Sequence, residues 1–182
     1  MSNAIGLVEY RTVSSGISAA DLLIKAAEVN VLEAHPVCPG KYIILVSGQL
    51  GSVQAAIEAA KIKFPEMLVD SFVLGNPHES IFSAMYGAAE VGTPEALGII
   101  ETFSVAGSIV AADAAAKTAD VRLVELRLAR GLAGKSYALV TGDVAAVTAS
   151  IERAKEVVSG EGMYLDSSII PRPDARLWQT IL

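Results

Sequence analysis

The sequence predicts an α/β (α+β) protein built from two tandem copies of one small domain. Two observations give the class. Short apolar runs rich in strand formers alternate with segments whose apolar residues recur at helical spacing, and both halves show the same order of elements. The third observation is the duplication itself. Ala4, Gly6, Glu9, Val13, Ile17, Asp21, Lys25 and Glu33 recur as Ala96, Gly98, Glu101, Val105, Ile109, Asp113, Lys117 and Glu125, at a constant offset of 92 residues. Beyond a loop two residues longer in the second copy, Gly40, Lys41, Gly48, Val53 and Ile57 recur as Gly134, Lys135, Gly142, Val147 and Ile151, at an offset of 94. Asp70, Ser71 and Pro77 match Asp166, Ser167 and Pro173 and complete the repeat. The domains are therefore expected at 1–90 and 91–182, with the turn-prone stretch from Gly87 to Pro94 as linker.

Within the first copy, Ala4 to Tyr10 reads as a strand and Ser18 to Glu28 as a helix. Val31 to Val37 and Lys41 to Ser47 read as a strand pair joined by the turn Cys38-Pro39-Gly40. Val53, Ile57, Ala60 and Phe64 form an apolar stripe at helical spacing, repeated as Val147, Ile151, Ala154 and Val158. Val69 to Leu74 and Leu165 to Ile170 supply the last strands, each followed by a proline-containing turn and a short closing helix. The order β-α-β-β-α-β is that of a ferredoxin-like unit, so each copy should be a mostly antiparallel four-stranded sheet with helices on one face.

Composition narrows the function. Of 182 residues, 52% are hydrophobic and 19% charged, more apolar surface than two small cores need, which points to large subunit interfaces. A net charge of -6 repels a nucleic-acid backbone. Asp21, Lys25, Asp113 and Lys117 interrupt the alanine-rich segments, so no membrane span is expected. Ser2, Asn3 and Glu9 around the first apolar run do not read as a secretory leader, and one cysteine cannot build an intrachain disulfide; a reducing cytoplasmic setting is expected.

The opening strand Ala4-Ile5-Gly6-Leu7-Val8-Glu9, the Asp-x-x-x-Lys-x-Ala pattern at Asp21 to Ala27 and Asp113 to Ala119, and Pro171-Arg172-Pro173 after the last strand resemble the bacterial microcompartment shell family. The resemblance covers both copies and follows the unpermuted strand order. It implies a non-enzymatic structural tile of a polyhedral organelle shell in the cytoplasm. Tandem members form homotrimers whose six domains imitate a hexamer, and these pack edge to edge with other shell proteins. The chain is most similar to the tandem type of propanediol-utilising compartments, in which a cysteine of the loop between the second and third strands lies at the three-fold axis. Cys38 stands at the matching place. The resemblance thus implies a [4Fe-4S] cluster shared by three subunits through Cys38, a role in electron transfer across the shell, and encapsulated redox enzymes as candidate partners.

It also implies a pore loop at Val37, Cys38, Pro39 and Gly40, with Arg130 and Gly131 in the equivalent second loop, and tile-edge residues Lys25, Asn30, Lys117 and Arg172. The plain alternatives stay open at this point. Cys38 can be a small apolar turn residue, and the edge residues ordinary solvated side chains. A metal-free tile with a metabolite pore and a tandem ferredoxin-like small-molecule sensor are the other readings. His35, His78, the Ser14-Ser15-Gly16 stretch and the pair Glu9 and Glu101 lack the spacing of ligands, a phosphate loop or an acid and base, and no nucleophile has an identifiable base.

Overall fold

The computed structural model describes residues 4–93, 95–160 and 162–181. Ser2, Asn3 and Pro94, on which parts of the leader and linker expectations fall, lie outside them. The first half runs β1 (Ala4–Tyr10), α1 (Val13–Ala26), β2 (Asn30–Val37), β3 (Lys41–Gly48), α2 (Leu50–Lys63), a 3₁₀ turn (Pro65–Met67), β4 (Leu68–Gly75) and α3 (Ser80–Met85). The second half repeats it as β5 (Ala96–Thr102), α4 (Val105–Thr118), β6 (Val121–Leu128), β7 (Ser136–Gly142), α5 (Val144–Ser159), β8 (Tyr164–Ile170) and α6 (Ala175–Ile181). The sheets are antiparallel with orders β2-β3-β1-β4 and β6-β7-β5-β8, as the ferredoxin-like reading requires.

The chain forms two compact units. The first runs to Pro77 and takes in Ser104–Ala106 and Ala129–Gly134; the second comprises His78–Phe103, Gly107–Leu128 and the chain from Lys135 on. In the first unit the even-numbered face of β1 meets the helices. Ala4, Val8 and Tyr10 pack with Ile44 and Val46 of β3, with Ala19 and Leu23 of α1 and with Val53, Ala56, Ile57 and Ala60 of α2. The Tyr10 hydroxyl donates to the Ala60 carbonyl over 2.6 Å, and burial pushes its pKa up to about 12. Gly6 lies on the same face for a steric reason. A Cβ there would stand 2.7 Å from Ile57 Cγ1 and Val53 Cγ1, and at the equivalent Gly98 a Cβ would stand 2.7 Å from Ile151 Cγ1. Ile5, Leu7, Ile43 and Leu45, which point the other way, are fully buried too.

Two sequence expectations need correction. Helix α1 starts at Val13, not Ser18: Ser14, Ser15 and Gly16, weak helix formers that read as loop in the sequence, make its first turn because Gly16 packs closely against Tyr42. Nor do the helices keep to one face of each sheet. In the second unit Trp178 of α6 packs with Leu97, Ile99, Tyr137, Leu139 and Ile170, whereas Val147 and Ile151 of α5 lie over Gly98 on the opposite face. Among the described residues no helix is long and apolar enough to cross a membrane.

Candidate functional site

The β2–β3 turn carries the sequence-predicted pore loop. Val37 is buried, Cys38 half-buried, and Pro39 and Gly40 exposed; Gly40 has φ 114°, which favours glycine, and its amide donates to the Val37 carbonyl over 2.9 Å. In the same compact unit lies the segment Ala129–Gly134. Gly134, at φ 87°, passes so close to the turn that a Cβ would stand 2.9 Å from Pro39 Cδ and 3.0 Å from the Cys38 carbonyl oxygen. The glycine lets the two loops touch. The structure therefore brings Val37, Cys38, Pro39 and Gly40 together with Arg130 and Gly131, around a shallow depression of about 490 Å³. His35 lines it too, its Nε2 3.0 Å from Glu33 Oε2 and 3.4 Å from an Arg130 guanidinium nitrogen.

A buried cluster under this loop pair escaped the sequence reading. Glu9 at the end of β1 is fully buried. Its Oε1 accepts from Lys41 Nζ over 2.8 Å, and its Oε2 accepts from the Val105 amide over 2.8 Å and the Ala106 amide at 3.5 Å. Lys41 Nζ also donates to the Gly134 carbonyl over 3.1 Å. A carboxylate facing the first amides of α4 satisfies donors that helix geometry leaves unpaired and meets the positive end of the helix dipole. Beside it, the Ser104 hydroxyl donates to Asp70. Burial raises the Glu9 pKa, while the Lys41 ammonium and the two amides pull the other way. The available signal was the recurrence of Glu9, Lys41, Gly40 and Asp70 as Glu101, Lys135, Gly134 and Asp166.

A folded-state pKa above the ordinary 4.5 means that the native state binds the Glu9 proton more tightly than the unfolded chain. Glu9 titration then favours folding below 4.5, and that contribution is lost as pH rises through the raised value. Thermal melts at pH 7 and near pH 4.5 should show the wild type gaining on Glu9→Gln at the lower pH.

The tile-edge candidates are all exposed. Lys25 and Lys117 close the last turns of α1 and α4, each 2.7 Å from an aspartate one turn earlier, Asp21 and Asp113. Asp113 is the better buried, and its other oxygen accepts from the His78 amide over 2.8 Å, a structural role that the sequence did not reveal. Asn30 opens β2, and Arg172 flanks a depression of about 350 Å³ with Pro171, Pro173 and Glu95. His78 bonds locally to Ser80, and Ser14 to Gly16 form a helical turn, so neither builds a site. Among the described residues no group of three or more His, Cys, Asp or Glu side chains could hold a metal, and Cys38 is a free thiol.

Comparison with known proteins gives these features a setting. The BMC domain family matches residues 4–77 and again 96–173. The bacterial microcompartment shell protein PduT of Citrobacter freundii is 40% identical over 182 residues, 100% of this chain and 99% of that protein. A crystal structure of a microcompartment protein from Desulfitobacterium hafniense DCB superposes with a TM-score of 0.84 at 46% identity, covering 97% of this chain and 98% of the other. A fused permuted hexameric shell protein shares the fold at a TM-score of 0.66 and 19% identity, covering 86% of this chain and 81% of its own. With two matched domains and antiparallel sheets in unpermuted order, the chain belongs to the BMC domain family of bacterial microcompartment shell proteins, in its two-domain form.

Proposed function

We propose that this chain is a non-enzymatic tile of a microcompartment shell, a homotrimer whose duplicated units, 1–90 and 91–182, occupy the six positions of a hexagon. The observation that carries this reading is the pair of antiparallel four-stranded sheets of identical order, with a half-buried cysteine on only one of the two equivalent loops. Lateral packing falls to the exposed residues Lys25, Asn30, Lys117 and Arg172, which join this tile to other shell proteins. Alanine at both Lys25 and Lys117 is expected to suppress ordered sheets in electron micrographs at rising protein concentration, with the particle mass in solution unchanged. Equal sheet formation by the variant would overturn the edge role.

Cys38 is the candidate metal ligand. One chain offers one thiol at the rim of an open depression, so the donor set fits a metal group only when several copies share it. Three thiolates, one from Cys38 of each subunit, suit a [4Fe-4S] cluster whose fourth iron takes a non-thiolate ligand. Such a cluster supplies one-electron chemistry, here across the shell or toward encapsulated redox enzymes. The chain's own contribution is geometric. Val37 buries the strand end, Pro39 and Gly40 turn the backbone, and Gly134 admits the neighbouring loop, so that Cys38 lines the depression together with Arg130. Protein purified without oxygen is expected to carry iron and sulfide with visible absorbance and a paramagnetic signal on reduction. Cys38→Ser should lose all of these while keeping its oligomeric mass. A colourless, iron-free wild-type trimer would favour instead a metal-free tile with a metabolite pore.

A further inference from the structure

We propose that His35 is a proton-operated switch that decides whether Arg130 is held at the rim of the Cys38 depression. The switch belongs to one compact unit, and only its consequence for a shell rests on the tile reading. His35 stands on β2 with its Nε2 between two side chains of opposite charge. Glu33 Oε2 lies 3.0 Å away, and an Arg130 guanidinium nitrogen 3.4 Å away. One ring nitrogen cannot serve both. To bond Glu33 it must carry a proton and donate; to bond Arg130 it must be bare and accept. The other ring nitrogen, Nδ1, lies 3.1 Å from the Pro36 carbonyl oxygen, which can only accept.

The charge state of the ring therefore selects the partner. A doubly protonated ring donates from Nδ1 to Pro36 and from Nε2 to Glu33, and its positive charge repels the Arg130 guanidinium. A neutral ring has one proton to place. On Nδ1 it keeps the Pro36 bond and leaves Nε2 to accept a charge-assisted bond from Arg130. On Nε2 it would set the Nδ1 lone pair against the Pro36 oxygen and an N–H against the guanidinium. The first placement is the better satisfied, so loss of one proton moves His35 from Glu33 to Arg130. Imidazole is the side chain whose charge changes between about pH 5 and 8. The second repeat holds the same pair in a form that cannot switch. At the offset of 92 residues Glu125 replaces Glu33 and Arg127 replaces His35, and Arg127 donates to Glu125 from Nε over 2.8 Å and from a terminal nitrogen over 2.5 Å.

The other groups around His35 are engaged or apolar. Ile43 is opposite it on β3, Tyr42 donates to the Ala34 carbonyl, and Lys41 is taken by Glu9 and the Gly134 carbonyl; Cys38 is the remaining titratable side chain of the depression. Arg130 is exposed and has solvent to swing into. When His35 is charged, each chain adds a second positive charge to the rim and releases its guanidinium. In a tile, the charge around the joined loops then follows pH.

The test uses the full chain with Cys38→Ser, which keeps any metal group away, and with isotope-labelled histidine; His35 is told from His78, the only other histidine, by adding His78→Gln. Nitrogen NMR reads which ring nitrogen carries the proton. At about pH 8 His35 is expected to be protonated on Nδ1 and bare on Nε2, and at about pH 5 to be protonated on both. Arg130→Ala should lose the Nδ1-protonated neutral form, its proton passing to Nε2 opposite Glu33. The same variant should move the loss of ring charge to higher pH, and Glu33→Gln should move it to lower pH, the signs expected on removing a like and an opposite charge. A neutral His35 with its proton on Nε2, or one indifferent to Arg130→Ala, would overturn the switch, and a trimeric mass in sedimentation would leave the tile standing. A switching His35 in a monomeric protein would overturn the tile and keep the switch.

Discussion

Replacement of Glu9 by alanine is expected to lower stability by about 3 kcal/mol, near the bottom of the range for breaking a buried ion pair. The reason is the number of groups left behind. The substitution strips the Val105 and Ala106 amides of their acceptor and leaves the Lys41 ammonium, whose side chain is only 16% exposed, without its carboxylate. The loss stops short of 5 kcal/mol because Lys41 keeps the Gly134 carbonyl and some access to water. For a chain of this length the midpoint of thermal unfolding should fall by about 6 to 12 °C. Glu9→Gln retains an acceptor for the amides and should lose less. A double substitution of Glu9 and Lys41 by methionine separates the causes. If the unpaired Lys41 ammonium is the larger part of the cost of Glu9→Ala, the double variant is more stable than Glu9→Ala, because no charge is then left buried without its partner, although the Val105 and Ala106 amides still lack their acceptor. Equal melting of Glu9→Ala and the wild type would remove the cluster from the list of features that hold the first unit together.

Those parts of the fold written in local periodicity were legible in the sequence. The strand and helix order follows from apolar runs and stripes, and the duplication from recurring residues, so sheet order and unpermuted topology could be anticipated before any coordinate was known. The start of α1 was not legible, because Ser14, Ser15 and Gly16 look like loop residues; their helical state is imposed by tertiary packing around Gly16. The place of α6 was hidden for a similar reason. Trp178 covers the face of β5 and β7 that carries Leu97 and Leu139, and a short helix gives no sign in its own sequence of which sheet face it will bury. At the candidate site, the turn and Cys38 were visible as Pro-Gly chemistry beside a unique cysteine, and the structure sets Arg130 and Gly131 beside them. The Glu9 cluster was half visible. Recurrence marked Glu9 and Lys41 as positions with a job, but their partners Val105 and Gly134 lie more than 90 residues away in sequence and contribute backbone atoms, which carry no residue-type signature.

Alanine at Gly16 is expected to destabilise the first unit by about 3 kcal/mol, the upper end of the usual overpacking range and opposite in sign to the effect normal for a helix. In a solvent-facing helix the same change stabilises by up to about 1 kcal/mol, since glycine is the poorer helix former. Here the added Cβ would lie 2.4 Å from Tyr42 Cβ and 2.5 Å from Tyr42 Cγ. Tyr42 has little room to withdraw. Its Cβ is tied to β3, which is paired on both sides, with Tyr10 of β1 and Pro36 of β2 opposite it, and its hydroxyl donates to the Ala34 carbonyl over 2.9 Å. The second repeat solves the same contact differently, with Ser108 where the first has Gly16 and Ser136 where the first has Tyr42. A small residue on the strand permits a Cβ on the helix. Thermal or urea unfolding of Gly16→Ser, Tyr42→Ser and the double variant should therefore show coupling of 1 kcal/mol or more, on the order expected for residues in direct contact, with the double variant more stable than the two single losses predict. Strict additivity, or a Gly16→Ala protein more stable than the wild type, would mean that α1 can lift from β3, and the close approach would no longer explain the glycine.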